Sequence, residues 1–247
     1  VSLETGARAQ IVEHINGEED GEVIYNEGVD IEVGEGGEAK FFSIHNLNID
    51  SSVFSNAHGA IERDGTLLHT TGAFGGMFGK FRVDADLLGP GADALMTGIY
   101  FSHEDQHFDL RTIQRHAAPS AHSDTVYKGA VTGESHTIFQ GLIRVEHDAV
   151  QTDAYLTNNN LVLSDEARSD SIPSLQINTD DVRCSHGSTT GKIDEKQLFY
   201  LLSRGYSLME ARRMLVAGYF EAVLSLYPEG SQELIRQIIA ERIAEGE

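Results

Sequence analysis

Short β-type runs broken by Gly, Asp and Asn extend from residue 1 to about residue 192, and no helical period is sustained between them. Turn elements such as 34–37 and 89–92 recur before apolar runs, at a spacing compatible with coils of roughly 20–25 residues. This pattern favours a parallel β-helix, in which each strand stacks on the equivalent strand of the next coil. A β-sandwich or double-stranded roll would give a similar pattern. The runs span residues 23–34, 39–49, 94–101, 136–147, 160–164 and 174–182.

After Gly191 the apolar residues follow a helical period. A first helix is predicted from Asp194, which forms a capping-box pattern with Gln197, to Arg204. A second begins at Ser207 and stops at Pro228, and a third starts near residue 231. Three helices in about 55 residues cannot build much of a core alone, so they must dock on the β part, on a partner, or on both. We therefore predict a β-helix core over 1–192 and a small helical region over 193–247.

The charge of the chain limits its partners. The 39 acidic and 18 basic residues give a net charge of −21, which repels nucleic acid and is explained by a salt-adapted host or a solvated acidic surface. The single cysteine cannot form an internal disulfide, and no basic-then-apolar leader opens the chain. No apolar run approaches the roughly 20 residues of a membrane helix. We expect a cytoplasmic protein that binds neither nucleic acid nor membrane.

Cys184 lies two residues before His186 in the segment 183–191. Alternate residues of an extended segment share a face, and a thiolate beside an imidazole suits transition-metal chemistry. Arg183 or a protonated His186 is expected to favour the thiolate. A lone cysteine is more often a small buried apolar residue, so both interpretations stay open. Four further histidines near predicted corners suit a hydrogen-bonded structural role better than a metal site; they are His116, His122, His136 and His147.

Two other patterns carry weaker functional predictions. The Gly-rich stretch 72–79 lacks the Lys and the following helix of a phosphate-binding loop, so no nucleotide site is predicted there. The acid pairs Asp180 with Asp181 and Asp84 with Asp86 have the residue type that a β-helix carbohydrate enzyme needs, although their spacing indicates turns. An intracellular metal- or carboxylate-dependent enzyme acting on a carbohydrate is therefore the alternative function.

Several segments resemble the SufB/SufD family, the scaffolds of the SUF iron–sulfur cluster assembly system, most strongly over residues 110–227. The resemblance implies a mostly β fold, a right-handed parallel β-helix followed by helices. It also implies a non-enzymatic scaffold that builds clusters with the ABC-type ATPase SufC and passes them to apoproteins. The segments that carry it, in order, are His116 to Ser123, Tyr127 to Gly129, Phe139 to Gly141 with Ile143 and Val145, Gln151 to Tyr155, Asn160 to Ser164, Ser171 to Ile177 and Cys184 to Gly205.

Cys184 and His186 match the CSHG element of SufD-like members, whose histidine is tied to cluster assembly at the scaffold dimer interface. The resemblance therefore implies that both are ligands of a transient iron–sulfur cluster and that no residue is catalytic. SufB-like members place a functional cysteine at about Asn158 and a functional glutamate at about Gly187, and this sequence has neither. The chain is SufD-like in this element, and its second subunit is either a SufB/SufD-type chain or another copy of itself.

The resemblance also implies a docking surface for SufC on the C-terminal helices. Their apolar residues are expected to serve both the core and this surface. Longer family members carry an N-terminal helical region, so the resemblance implies a short form or a trimmed chain. The residues expected to contact SufC are Leu198, Phe199, Tyr200, Met214, Tyr219 and Phe220.

Overall fold

The computed structural model describes residues 1–17 and 21–245. Within these ranges the chain forms fourteen β-strands and then three α-helices. The strands are β1 (Ser2–Leu3), β2 (Arg8–Asn16), β3 (Ile24–Val33), β4 (Glu38–Asn46), β5 (Ser52–Ile61), β6 (Thr66–Ala73), β7 (Phe78–Leu87), β8 (Asp93–Ser102), β9 (His107–His116), β10 (His122–Val131), β11 (His136–Val145), β12 (Thr152–Val162), β13 (Arg168–Ile177) and β14 (Val182–Gly191).

Successive strands alternate between two parallel sheets. The odd sheet runs β1-β3-β5-β7-β9-β11-β13 and the even sheet runs β14-β12-β10-β8-β6-β4-β2. Every pairing is parallel, as in a β-solenoid, so the predicted fold is confirmed and the sandwich alternative is wrong. One coil separates Ser52 from its partner Phe78, and one coil separates His136 from Arg168. The coils are therefore longer than the predicted length of roughly 20–25 residues, because each contains two strands and two connections.

The solenoid interior is filled by ladders of inward-facing side chains from both sheets. Tyr100 and Tyr127 are the largest of these in the middle coils, and each lies opposite a glycine in the neighbouring strand. A Cβ at Gly129 would lie 2.0 Å from the ring of Tyr100, and one at Gly98 would lie 2.2 Å from the ring of Tyr127. These two glycines are required because the tyrosine rings occupy the space that a side chain would need.

The three helices are α1 (Glu195–Ser203), α2 (Leu208–Leu224) and α3 (Glu229–Glu245). Asp194 caps α1 by accepting hydrogen bonds from the backbone N–H groups of Lys196 and Gln197. Ser207 and Glu210 form a complete capping box at the start of α2. The starts of α1 and α2 are therefore as predicted, and α3 begins slightly earlier than expected. None of the helices in the described residues combines the length and apolar character needed to cross a membrane.

Helices α2 and α3 pack against the outer face of the even sheet. Phe42 and Phe101 from the sheet share one apolar core with Val216, Phe220 and Ile239 from the helices. The chain changes from strands to helices between β14 and α1, and the two parts share this core. The helices therefore dock on the β part, which is one of the arrangements predicted from the sequence.

This docking corrects one expected partner contact. Phe220 is fully buried between α2 and the sheet, so it does not belong to a docking surface. Tyr219 is half-buried beside it, and the ammonium of Lys128 on β10 lies 4.7 Å from the centre of the Tyr219 ring. The same ammonium donates a hydrogen bond of 2.6 Å to the Tyr219 carbonyl. These contacts hold α2 on the sheet.

Candidate functional site at the end of the solenoid

The inward-facing ladders of the even sheet end at Cys184 and His186. Cys184 pairs with Ala154 of β12 and His186 pairs with Leu156, and both of these partners are buried in the solenoid. Since side-chain direction is kept along such a ladder, the two residues share the inward face of β14. In the described part of the chain, β14 is the last strand of its sheet. Cys184 is consequently only half-buried, and His186 is exposed.

An apolar rim lies across from these residues, on the last strand of the odd sheet. Leu175 and Ile177 continue the inward ladder of Ile143 and Val145, which are fully buried one coil earlier. At the end of the solenoid they are 37% and 39% exposed. Cys184 packs against the edge of the interior core. Cys184 and His186 therefore border an apolar opening rather than a polar cleft.

The environment of Cys184 disfavours its thiolate. Burial raises the pKa of the thiol, and the carboxylate of Asp153 raises it further. A hydrogen bond with the Ala154 backbone lowers the pKa, but this effect is the smallest of the three. The guanidinium of Arg183 does not reverse this effect, because its Nη2 atom lies 2.9 Å from the Asp153 carboxylate. The expectation that Arg183 promotes the thiolate is therefore wrong. The thiol is protonated at neutral pH.

One chain supplies few metal ligands at this end. Among residues 1–17 and 21–245, no group of three or more His, Cys, Asp or Glu side chains is arranged to hold a metal ion. Iron–sulfur clusters are usually held by four protein ligands. The pair Cys184 and His186 therefore supplies half of such a set, and the rest must come from elsewhere.

A second exposed feature lies on the helices. We call it the α1 surface, and we define it as the exposed large apolar residues of residues 199–214, which are Phe199, Tyr200, Leu202, Tyr206, Leu208 and Met214. Phe199 is 71% exposed and Tyr200 is 56% exposed, and no residue of α1 is buried. Of the six residues expected to contact a partner, Phe199, Tyr200 and Met214 belong to this surface, while Leu198 is half-buried behind it.

Comparison with known proteins identifies the family. Residues 1–219 match the SUF system FeS cluster assembly, SufBD core domain. The chain belongs to the SufBD family. It is 38% identical over 200 residues to an iron–sulfur cluster assembly SufBD family protein of Mycobacterium leprae, a match that covers 76% of this chain and 51% of the relative. The resemblance seen in the sequence is therefore confirmed.

Two further relatives agree with this assignment. A SufBD family protein of Mycobacterium tuberculosis is 38% identical over 185 residues, covering 71% of this chain and 47% of the relative. The iron–sulfur cluster assembly protein SufD of Escherichia coli is 28% identical over 247 residues, covering 100% of this chain and 58% of SufD. The chain thus spans about half the length of the curated relatives it matches. Membership of this family supports a role in SUF iron–sulfur cluster assembly.

Asn158, where the resemblance led us to look for a cysteine, belongs to a closed polar network. Asn158 is fully buried, and its amide donates to the Tyr100 hydroxyl at 3.0 Å. The Asn160 amide donates to the Asn158 side-chain oxygen at 2.9 Å, and the Tyr100 hydroxyl donates to the Asn160 side-chain oxygen. Gly187 faces away from His186, and a Cβ there would lie 3.0 Å from the Tyr155 hydroxyl. Neither position can add a ligand to the Cys184 side of β14.

The remaining histidine candidates have structural contacts. His116 is buried, its Nε2 atom is hydrogen-bonded to Ser123 at 2.8 Å, and burial lowers its pKa to about 4. The other three lie beside carboxylates: His122 beside Asp93 at 3.0 Å, His136 beside Asp170 at 2.7 Å and His147 beside Asp148 at 3.2 Å. These contacts fit the hydrogen-bonded structural role that the sequence favoured for all four.

Sequence reasoning missed Asp153, Leu175 and Ile177. Asp153 and Arg183 are paired in the register between β12 and β14, one coil apart. The sequence does not reveal that they are neighbours, because the length of the coil must be known first. Leu175 and Ile177 alternate in the sequence, but their exposure depends on β13 being the last strand of its sheet in the described residues.

We predict that Asp153→Asn increases the reactivity of Cys184 toward iodoacetamide at pH 8. The substitution removes a carboxylate that raises the pKa of the thiol, so the thiolate fraction rises. The measurement is the alkylation rate against pH, by mass spectrometry, on the only cysteine of the chain.

Asp165→Asn is the matched control, because Asp165 also pairs with a cation, Lys192, but is not among the groups that shift the Cys184 pKa. Wild-type protein should react more slowly than the same chain unfolded in urea. Equal rates for the two Asn variants would contradict the assigned role of Asp153.

Proposed function

We propose that this SufBD chain is a non-enzymatic scaffold subunit that holds an iron–sulfur cluster, as its cargo, at the end of the solenoid. The observation that carries this proposal is the position of Cys184 and His186 on the inward face of the last strand of the even sheet. Two donors that suit iron are thereby placed at an opening with an apolar rim, where another protein surface can reach them.

A second scaffold subunit completes the site in this proposal. Within the described residues, β13 and β14 each pair with a strand on one side only, so both carry unpaired backbone groups along their other edge. Pairing of these edges with another subunit across a two-fold or pseudo-two-fold axis satisfies the backbone and covers Leu175 and Ile177. Two chains of this type bring up to four ligands together, the number that a small cluster needs. The second subunit is a SufB-type chain or another copy.

Cluster formation must also deprotonate Cys184. Burial and Asp153 keep the thiol protonated in the single chain, whereas a bound iron ion stabilises the thiolate and releases the proton. The thiol is therefore less reactive than a free cysteine until iron arrives. Iron loading at this position should increase with pH, because the thiolate is the ligand.

The α1 surface is proposed to bind the ABC-type ATPase SufC. Exposed aromatic and Met side chains are enriched in protein interfaces, and no residue of α1 is buried in the core of this chain. A groove between α1 and α2 lies beside the patch and is lined by Tyr200, Leu201 and Leu215. SufC would bind over this groove, on the opposite side of the solenoid from the odd sheet.

The carbohydrate-enzyme alternative receives less support. Asp84 accepts from Arg82 at 2.6 Å, and Asp86 accepts from Arg115 at 3.2 Å. Both carboxylates lie on the outer face of the odd sheet, and each forms an ion pair with a neighbouring arginine. A glycosidase needs one carboxyl group that stays protonated and one that is accessible to the substrate.

The cluster proposal is tested by anaerobic reconstitution with iron and sulfide in the presence of the partner scaffold and SufC. We predict that Cys184→Ser and His186→Ala each lower the charge-transfer absorption several-fold, because each removes one of the few ligands. Ser185→Ala is the matched control, since Ser185 lies between them on the opposite face of β14. Equal cluster content in all four proteins, with only a lower melting temperature for Cys184→Ser, would reject the assignment.

The docking proposal is tested with Phe199→Asp and Tyr200→Asp, measured by surface plasmon resonance with SufC. A charge placed in an apolar interface should weaken binding about tenfold or more. Ile24→Asp is the matched control, because Ile24 is 73% exposed on the odd sheet, away from the helices. Deletion of the helices is a poorer test, because it would also expose the core at Phe42 and Phe101. Unchanged SufC binding by both helix variants would exclude this surface.

A further inference from the structure

Two glutamates meet inside the first coil of the solenoid, at the end opposite Cys184. Glu13 lies on the inward face of β2, and Glu27 lies on the inward face of β3. The Glu13 side chain is half-buried, and its Oε2 atom is buried without a hydrogen-bond partner among the described residues. The Glu27 side chain is only 9% exposed. Carboxyl groups placed in this way need a cation or a proton, because burial disfavours the charged form.

Neutral hydroxyl groups hold Glu27 in position. The Tyr25 hydroxyl donates to its Oε2 atom at 2.8 Å, and the Ser55 hydroxyl on β5 donates to its Oε1 atom at 2.5 Å. Burial and the Glu27 carboxylate raise the pKa of Tyr25, so the phenol keeps its proton. These hydrogen bonds fix the Glu27 carboxylate but bring no positive charge to it.

The imidazoles inside the neighbouring coils do not supply the missing charge. The Nε2 atom of His45 lies 3.4 Å from Oε1 of Glu27, but neither ring nitrogen of His45 has a hydrogen-bond partner among the described residues. Burial lowers the pKa of His45, against the effect of Glu27, and burial lowers the pKa of His69 on β6 to about 4. Both rings are therefore neutral at neutral pH. His14 faces away from the interior and contacts Ser231 of α3 at 3.1 Å.

A single proton shared by the two carboxyl groups removes their repulsion. Burial, the charge of Glu27 and the hydrogen bond between the two groups raise the pKa of Glu13. The folded chain therefore binds this proton more tightly than the unfolded chain does. The resulting stabilisation is present at acidic pH and is lost as the pH rises through the pKa of folded Glu13. His45 has the opposite effect, because its lowered pKa makes stability fall as the pH falls.

The first coil is the part of the solenoid on which this repulsion acts. In the described chain β2 is the first strand of the even sheet and pairs only with β4. The short strand β1 covers β3 at Glu32 and Val33 alone. Ile11 and Ile15, which face inward beside Glu13, are only half-buried. Terminal units of a solenoid open at a lower free energy than middle ones, so a small change in charge can shift this opening.

We propose that Glu13 and Glu27 form a proton-dependent latch on the first coil. With one proton between them, the two carboxyl groups hold β2 against β3. When the proton leaves, β2 separates from the solenoid more often and exposes Ile11 and Ile15. The latch is thus closed under mildly acidic conditions and loosens as the pH rises. The proposal does not depend on cluster binding at Cys184.

The test is hydrogen–deuterium exchange of residues 8–16 in the full chain between pH 5.5 and pH 8.5. Each rate is divided by the rate of the same segment in an unstructured peptide at that pH. Glu13→Gln has the shape of the protonated acid and cannot ionise. We expect the protection of the wild-type segment to fall several-fold relative to that of Glu13→Gln as the pH rises. His45 and His69 titrate in both proteins, so this ratio isolates Glu13.

Glu32→Gln is the matched control, because Glu32 is exposed on the outward face of β3. Its segment 8–16 should follow the wild-type protein at every pH. A constant ratio of protection between wild-type protein and Glu13→Gln across the pH range would overturn the proposal.

A second measurement reads the proton directly. In ¹³C NMR of the side-chain carboxyl groups, the resonance that disappears in Glu13→Gln belongs to Glu13. We expect it to titrate at a higher pH than the glutamates of the same chain unfolded in urea, because the folded chain holds the proton more tightly. A Glu13 carboxyl group that titrates as it does in the unfolded chain would also overturn the latch.

Discussion

Parallel backbone pairing between successive coils is the interaction on which this molecule depends. Each middle strand has its N–H and C=O groups satisfied by the strand one coil before and the strand one coil after. The same pairing stacks identical faces, which makes the interior ladders and sets the direction of every side chain. It also means that, in the described chain, β13 and β14 end their sheets with one edge unpaired. The proposed ligands and the apolar rim lie at this end because the pairing stops there.

The architecture could be predicted because its local patterns are strong. Gly-rich turns before apolar runs indicated strands, and the capping residues Asp194 and Ser207 marked two helix starts correctly. The coil length could not be obtained in the same way, because turns within a coil and turns between coils look alike in the sequence. The glycines opposite Tyr100 and Tyr127 show why the coil length matters. Each glycine lies one full coil away from its tyrosine in the chain, so the pair cannot be recognised before the register between the strands is known.

The candidate site was predictable in its residues but not in its surroundings. Spacing placed Cys184 and His186 on one face, since alternation in a strand is a local property. The effect of Asp153 on the thiol required the register with β12, and it reversed the expectation for Arg183. Phe220 was wrongly assigned to the docking surface because α2 carries apolar residues on two sides. Val216, Phe220 and Val223 face the sheet, while Leu208 and Met214 face outward, and the helical period does not say which side docks.

Hydrogen–deuterium exchange of the SufBD chain, alone and in complex with its partner scaffold, tests the central claim most directly. If the open edges of β13 and β14 pair with a second subunit, amides in residues 168–191 exchange more slowly in the complex, because their unpaired backbone groups gain partners. The coils near the middle of the solenoid, such as β7 to β10, should show the same exchange in both samples. Unchanged exchange over 168–191, with new protection at another surface of a stable complex, would contradict assembly at this end.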